Sequence, residues 1–123
     1  MKKRVPKFEI RFEPGTIVHV SGGKFPGQEE QDHFYLIISE YSKIPANDTF
    51  ICLPITSWES DDPFMIKINY NDLERGNLRK PSQVICDNIF TFLKEDVDSE
   101  KDKVTPIFYS KVTKLLKEKI LKI

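Results

Sequence analysis

The chain is poor in several things at once. Its 123 residues include two cysteines, two histidines and one tryptophan, and its formal net charge is zero. Cys52 and Cys86 both sit in apolar, strand-like runs, where free buried thiols of a reducing compartment are the ordinary state. Two Cys and two His without metal-ligand spacing do not make a zinc site, so neither a metal nor a cofactor is expected. No apolar run approaches the length needed to span a bilayer. The basic N-terminus (Lys2, Lys3, Arg4, Lys7) lacks the apolar stretch of a signal peptide. These absences lead to the expectation of a cytoplasmic protein with no membrane partner. With 19 basic and 19 acidic residues, no global field draws the chain to nucleic acid. Internal repeats and low-complexity segments are lacking too.

What is present fits one domain over residues 1–123, with residues 1–11 as an N-terminal extension and 106–122 as a C-terminal helix. Apolar residues make up 39% and charged residues 31%, an ordinary globular balance. The charges are segregated. Basic residues crowd the two ends, with Lys111, Lys114, Lys117, Lys119 and Lys122 at the second, while Glu29, Glu30, Asp32, Glu59, Asp61 and Asp62 lie between. The two ends form either a local basic face or two solvated segments. After the turn at Glu13-Pro14-Gly15, Thr16 to Val20 alternates as a first strand. The glycine- and acid-rich loop Ser21 to Asp32 is too long for a tight hairpin. His33 to Tyr41 reads as a buried strand and Thr49 to Ile55 as a third. Pro63 to Tyr70 gives the cleanest period of two, with Phe64, Ile66, Ile68 and Tyr70 inward. Ser82 to Phe92 reads as one long, bent fifth strand. Thr105 and Pro106 suit a helix cap and first turn. Phe108, Val112, Leu115, Leu116 and Ile120 then fall on one helical stripe. The fold expected is mainly β: a small, SH3-like, strongly curved antiparallel barrel closed by a C-terminal helix.

Several segments, taken in order, carry a resemblance: "PGTIVHV", "GQEEQDHFYLIIS", "CLPITS", "PFMIKI" and "NLRKPSQVICDNI", then a lysine-bearing helix. Together they resemble the PemK/MazF family of toxin endoribonucleases from about Phe12 to Ile123. The sequence departs from the family pattern twice. His33-Phe34-Tyr35 stands where members carry an arginine before the second strand, and Phe90 stands where a second arginine is common. Both changes remove fixed positive charge from the site the resemblance implies.

The resemblance implies cleavage of single-stranded RNA without a metal, to 2′,3′-cyclic phosphate and 5′-hydroxyl ends. Such a site needs a base for the 2′-hydroxyl, an acid for the leaving oxygen and donors to the phosphorane. By resemblance, Thr56 donates to the phosphate and Glu30 is the candidate base, with Glu29 competing in alignment. His33 can act as acid or base where the family has arginine, but it lacks a permanent charge; the alternative is a surface histidine. The alternative for Thr56 and Ser57 is that they cap a turn. Lys24, Ser57, Arg79 and Lys80 are candidate RNA contacts, and Trp58 either stacks a base or covers the core. The implied partners are RNA, a second copy of the chain in a homodimer, and an antitoxin whose acidic disordered segment competes for the same groove. The alternative is a non-catalytic barrel of the same family that binds a protein or a nucleic acid, DNA included.

Overall fold

The structure is a computed structural model that describes residues 10, 12–23, 31–39, 49–57, 60–78 and 80–122. Seven strands are followed by one helix: β1 (Thr16–Gly23), β2 (Gln31–Ile37), β3 (Thr49–Thr56), β4 (Met65–Ile68), β5 (Ser82–Ile85), β6 (Phe90–Leu93), β7 (Ser99–Lys103) and α1 (Pro106–Leu115). They form one antiparallel sheet in the order β4-β5-β3-β2-β1-β7, with β6 also paired to β3. Two strands therefore share one edge of β3. β5 pairs its C-terminal end at Ile55 and Thr56, and β6 pairs its N-terminal end from Thr49 to Cys52. That division curls the sheet.

Alternation along the strands builds a core on each face. On one face, Ile17, Leu36, Leu53, Ile55, Ile68 and Val84 pack against Phe108, Val112 and Leu116 of the C-terminal helix. Leu115 and Ile120 pack against the same cluster. Each fully buried aliphatic side chain there contributes roughly 1.5–3 kcal/mol. The helix starts as expected: the Thr105 hydroxyl accepts the Phe108 amide at 3.3 Å, with Pro106 in the first turn. It ends in a wider π-helical turn over Leu116–Ile120. On the other face, Val18, Val20, Tyr35, Ile37, Phe50 and Cys52 meet Ile10, Phe12 and Val97, with Phe90 and Phe92 over them.

Three expectations need correction. The described residues hold seven strands, not the five read from the sequence. The run from Ser82 to Phe92 breaks at Cys86–Ile89 into β5 and β6, because the curled edge of β3 takes them at different ends. The charged segment Ser99–Lys103, unassigned from sequence, is β7 on the edge of β1. Tyr70 does not face inward; it is 74% exposed. Strand alternation stops at Asn69, whose amide donates to Asp72 Oδ2 at 2.8 Å while the Asp72 amide returns to the Asn69 carbonyl, forming a 3₁₀ turn over Tyr70–Asp72.

The connection from β4 to β5 is tied to β7. Asp102 is wholly buried, and its carboxylate accepts the amides of Arg75 (2.9 Å), Asn77 (2.8 Å) and Lys103 (2.7 Å). Three N–H donors satisfy a buried charge that would otherwise be costly. Between Arg75 and Asn77, Gly76 has φ of 65°, and a side chain there would run into the Tyr70 ring.

Candidate active site

The site begins on the sheet face away from the helix. β2 and β3 pair Phe34 with Ile55 and Tyr35 with Pro54. Continuing that register by one residue sets His33 opposite Thr56. On the next strand Gln83 pairs with Thr56, and beyond it Lys67 pairs with Gln83. On the other side His33 pairs with Val20. Paired residues share a face, with Cβ atoms about 4.5–5.5 Å apart. His33, Thr56, Gln83 and Lys67 thus form one polar row across four strands, bounded by buried Val20.

Burial is graded along the row. His33 and Thr56 are half-buried, Gln83 is buried and Lys67 is exposed. The His33 ring stands edge-on to Tyr35, with centroids 6.3 Å apart. Tyr35 meets Phe92 at 4.8 Å and Phe90 at 5.9 Å. Burial, with the Cys52 thiol nearby, pushes the Tyr35 hydroxyl up to about 12. Burial alone does the same for Cys52, also about 12. These groups keep their protons at neutral pH, so neither is a nucleophile or base there.

Beside the row lies a depression of about 520 Å³ between the Ser60–Asp62 turn and the two outer strands, lined also by Met65, Lys67 and Gln83. The turn is braced by its own side chains. Ser60 Oγ accepts the Asp62 amide at 3.1 Å, and Asp62 Oδ1 accepts the Phe64 amide at 2.8 Å.

The remaining sequence candidates divide. Ser57 is exposed just past the end of β3. Lys80 is exposed two residues before β5, and its carbonyl accepts the Ser82 hydroxyl at 2.9 Å. Lys24, Glu29, Glu30, Trp58 and Arg79 lie outside the described residues. His19 meets Phe34 with ring centroids 5.3 Å apart and planes tilted by 52°, and its Nδ1 lies 3.5 Å from Asp98 Oδ2. Sequence reasoning missed Gln83 and Lys67. A polar residue inside an apolar strand was the available signal for Gln83.

The model of the PemK-like, MazF-like toxins of type II toxin–antitoxin systems matches residues 13–120. The chain belongs to that family. Solved structures share the fold. One is an endoribonuclease in complex with its cognate antitoxin from a Mycobacterial species, with TM-score 0.67, 19% identity and coverage of 85% of this chain and 90% of that one. Another is the Mycobacterium tuberculosis toxin MazF-mt6, with TM-score 0.62, 17% identity and coverage of 82% and 92%. A third is a MazE-MazF structure from Deinococcus radiodurans, with TM-score 0.68, 13% identity and coverage of 86% and 92%. No curated protein matches the sequence. Within the family frame, Phe90 pairs with Cys52 and stacks on Phe92, with centroids 5.9 Å apart and planes inclined by 11°. The position where the resemblance leads one to look for a second arginine is here part of an aromatic core. Among the described residues, no helix is long and apolar enough to cross a membrane.

Proposed function

We propose that the chain is the toxin of a type II toxin–antitoxin pair and a sequence-specific, metal-independent endoribonuclease. In this reading Thr56 donates to the scissile phosphate, and Glu30 or Glu29 takes the proton of the attacking 2′-hydroxyl. His33 takes the arginine's place beside the phosphate. The products are a 2′,3′-cyclic phosphate and a 5′-hydroxyl. The observation that supports the reading is the β2–β3 register, which, continued one residue past Phe34 and Ile55, sets His33 opposite Thr56 on one face. A strand end fixes such a hydroxyl more rigidly than a loop would. Lys24, Ser57, Trp58, Arg79 and Lys80 are the further RNA contacts. The protein acts as a homodimer in the cytoplasm, held inactive by an antitoxin whose acidic segment occupies the RNA groove.

The test is incubation of pure protein with a long mixed RNA in EDTA. The expected result is cleavage at a restricted set of sequences, leaving cyclic-phosphate and 5′-hydroxyl ends. Light scattering should give twice the chain mass; a monomer at high micromolar concentration overturns the dimer. The aromatic packing of Phe90 favours a second reading, a non-catalytic barrel that binds nucleic acid or a protein. RNA left intact in EDTA, with single-stranded RNA still bound, would select that second reading.

A further inference from the structure

Gln83 is anomalous for a residue in the middle of the sheet. It is 6% exposed, and its Oε1 is buried with no hydrogen-bond partner among the described residues. Among the described residues its Nε2 reaches only the Ser60 carbonyl, at a long 3.4 Å. A buried acceptor left unmade is destabilising, and an apolar residue of similar shape would not carry that cost. Yet this carboxamide lines the depression beside Thr56. Its last torsion is broad and two-fold, and the loose contact to Ser60 does little to hold it, so a donor entering the depression can turn Oε1 to meet it.

The lining says what kind of group enters. Asp61 and Asp62 are part of the lining, and two carboxylates disfavour a phosphate beside them. Together with Gln83 Oε1 and the Ser60 carbonyl they make the site rich in acceptors. A neutral ring bearing an exocyclic amino group suits them, with Met65 supplying an apolar contact to the ring. Uracil, which presents carbonyl oxygens, does not. Adenine comes first, because it offers a carboxamide the amino group and an adjacent ring nitrogen on two edges, where cytosine offers that pattern on one. Lys67, exposed at the outer end of the row, is the one cation among the described residues of the lining and is placed for the next phosphate.

We propose that this depression is a nucleotide subsite: Gln83 selects an amino-bearing base, adenine first, next to the scissile phosphate, and Lys67 holds the neighbouring phosphate. The inference rests on the proposed RNA-directed function and adds the specificity to it.

The test uses the full-length protein with mapped cleavage of a long mixed RNA. It also uses anisotropy with labelled short RNAs that carry a 2′-deoxy sugar at the cut and differ in one flanking base. The parent should favour adenine over uracil at one position by roughly tenfold or more. Gln83→Leu should erase that preference at that position alone and melt no lower than the parent, since it removes a buried acceptor. Gln83→Met is the second variant should leucine misfold. Lys67→Gln should weaken all sequences alike and reduce the salt slope of binding by about 0.7. A parent that prefers uracil there, or an unchanged preference in both Gln83 variants, overturns the inference and leaves the ribonuclease reading intact. An unchanged salt slope in Lys67→Gln overturns the phosphate contact. Base-selective binding that needs Gln83 but comes without cleavage keeps the subsite and rejects catalysis. A parent that neither binds nor cleaves RNA overturns both.

Discussion

Strands β2 and β3 run through two different environments on the same face of the sheet. At one end Tyr35, Ile37, Phe50 and Cys52 are sealed under Phe12, Phe90, Phe92 and Val97. At the other end the same alternation brings up His33 and Thr56, beside Gln83 and Lys67. The two ends differ in what covers the edge of β3. β6 delivers aromatic rings over the first half, and β5 delivers a carboxamide to the second. The packed end anchors the strands, and the polar end inherits their rigidity. A two-residue step along one strand is enough to pass from core to site.

The largest effect should come from breaking the packed end. Tyr35 is 1% exposed, and Tyr35→Ala should destabilise the fold by about 3–5 kcal/mol, read as a fall in the urea midpoint. Thr56→Ala, at the polar end, should do the reverse. Cleavage of RNA should slow about a hundredfold through loss of a transition-state donor, with the urea midpoint almost unmoved. Equal stability losses in the two variants would erase the distinction between the ends.

A third effect sharpens the contrast by titration. The Cys52 and Cys86 thiols are pushed from 9.0 to about 12, by burial and, for Cys86, the Asp87 carboxylate as well. Tyr35 goes from 10.0 to about 12. The unfolded chain therefore loses these protons first as pH rises. Stability is complete below pH 9 and falls up to about pH 12, from pH 9 for the two thiols and from pH 10 for Tyr35, by roughly 1 kcal/mol per pH unit for each group. Urea titrations across that range check it, and a flat profile would contradict the burial. The smallest effect is expected for His33→Arg. If His33 supplies charge where the family has arginine, the variant should cleave within about tenfold of the parent. A hundredfold loss would instead mean that His33 transfers a proton, since guanidinium does not deprotonate.

Much of this was legible in the chain. The "LPITS" segment ends β3 at Thr56, where the resemblance leads one to look for a phosphate donor. Ile66 and Ile68 announced β4, and Thr105-Pro106 announced the helix. What was hidden depended on partners distant in sequence. β7 reads as a charged loop because it is an edge strand whose pairing with β1, not its own composition, makes it extended. The break between β5 and β6 falls at Asp87-Asn88, a turn-prone pair within an otherwise β-prone run, and the curl of the sheet shows that this pair ends β5. Tyr70 continued a perfect alternation that a local Asn69–Asp72 turn cut short. The aromatic role of Phe90 likewise appears only when β6 lies beside β3.

The buried Asp102 has a consequence in time. Its carboxylate gathers amides from Arg75 and Asn77, residues made long before it. The Asp72 carbonyl waits likewise for the Thr105 amide, and Leu73 for Val104. While the chain is being synthesised, every strand of the polar row is complete by residue 85, yet the connection between its two outer strands has no counterpart to close on. The row acquires its final frame only after residues 102–105 have been added. For a protein proposed to cut RNA, this ordering postpones full assembly of the cutting surface until residues 102–105 have left the ribosome.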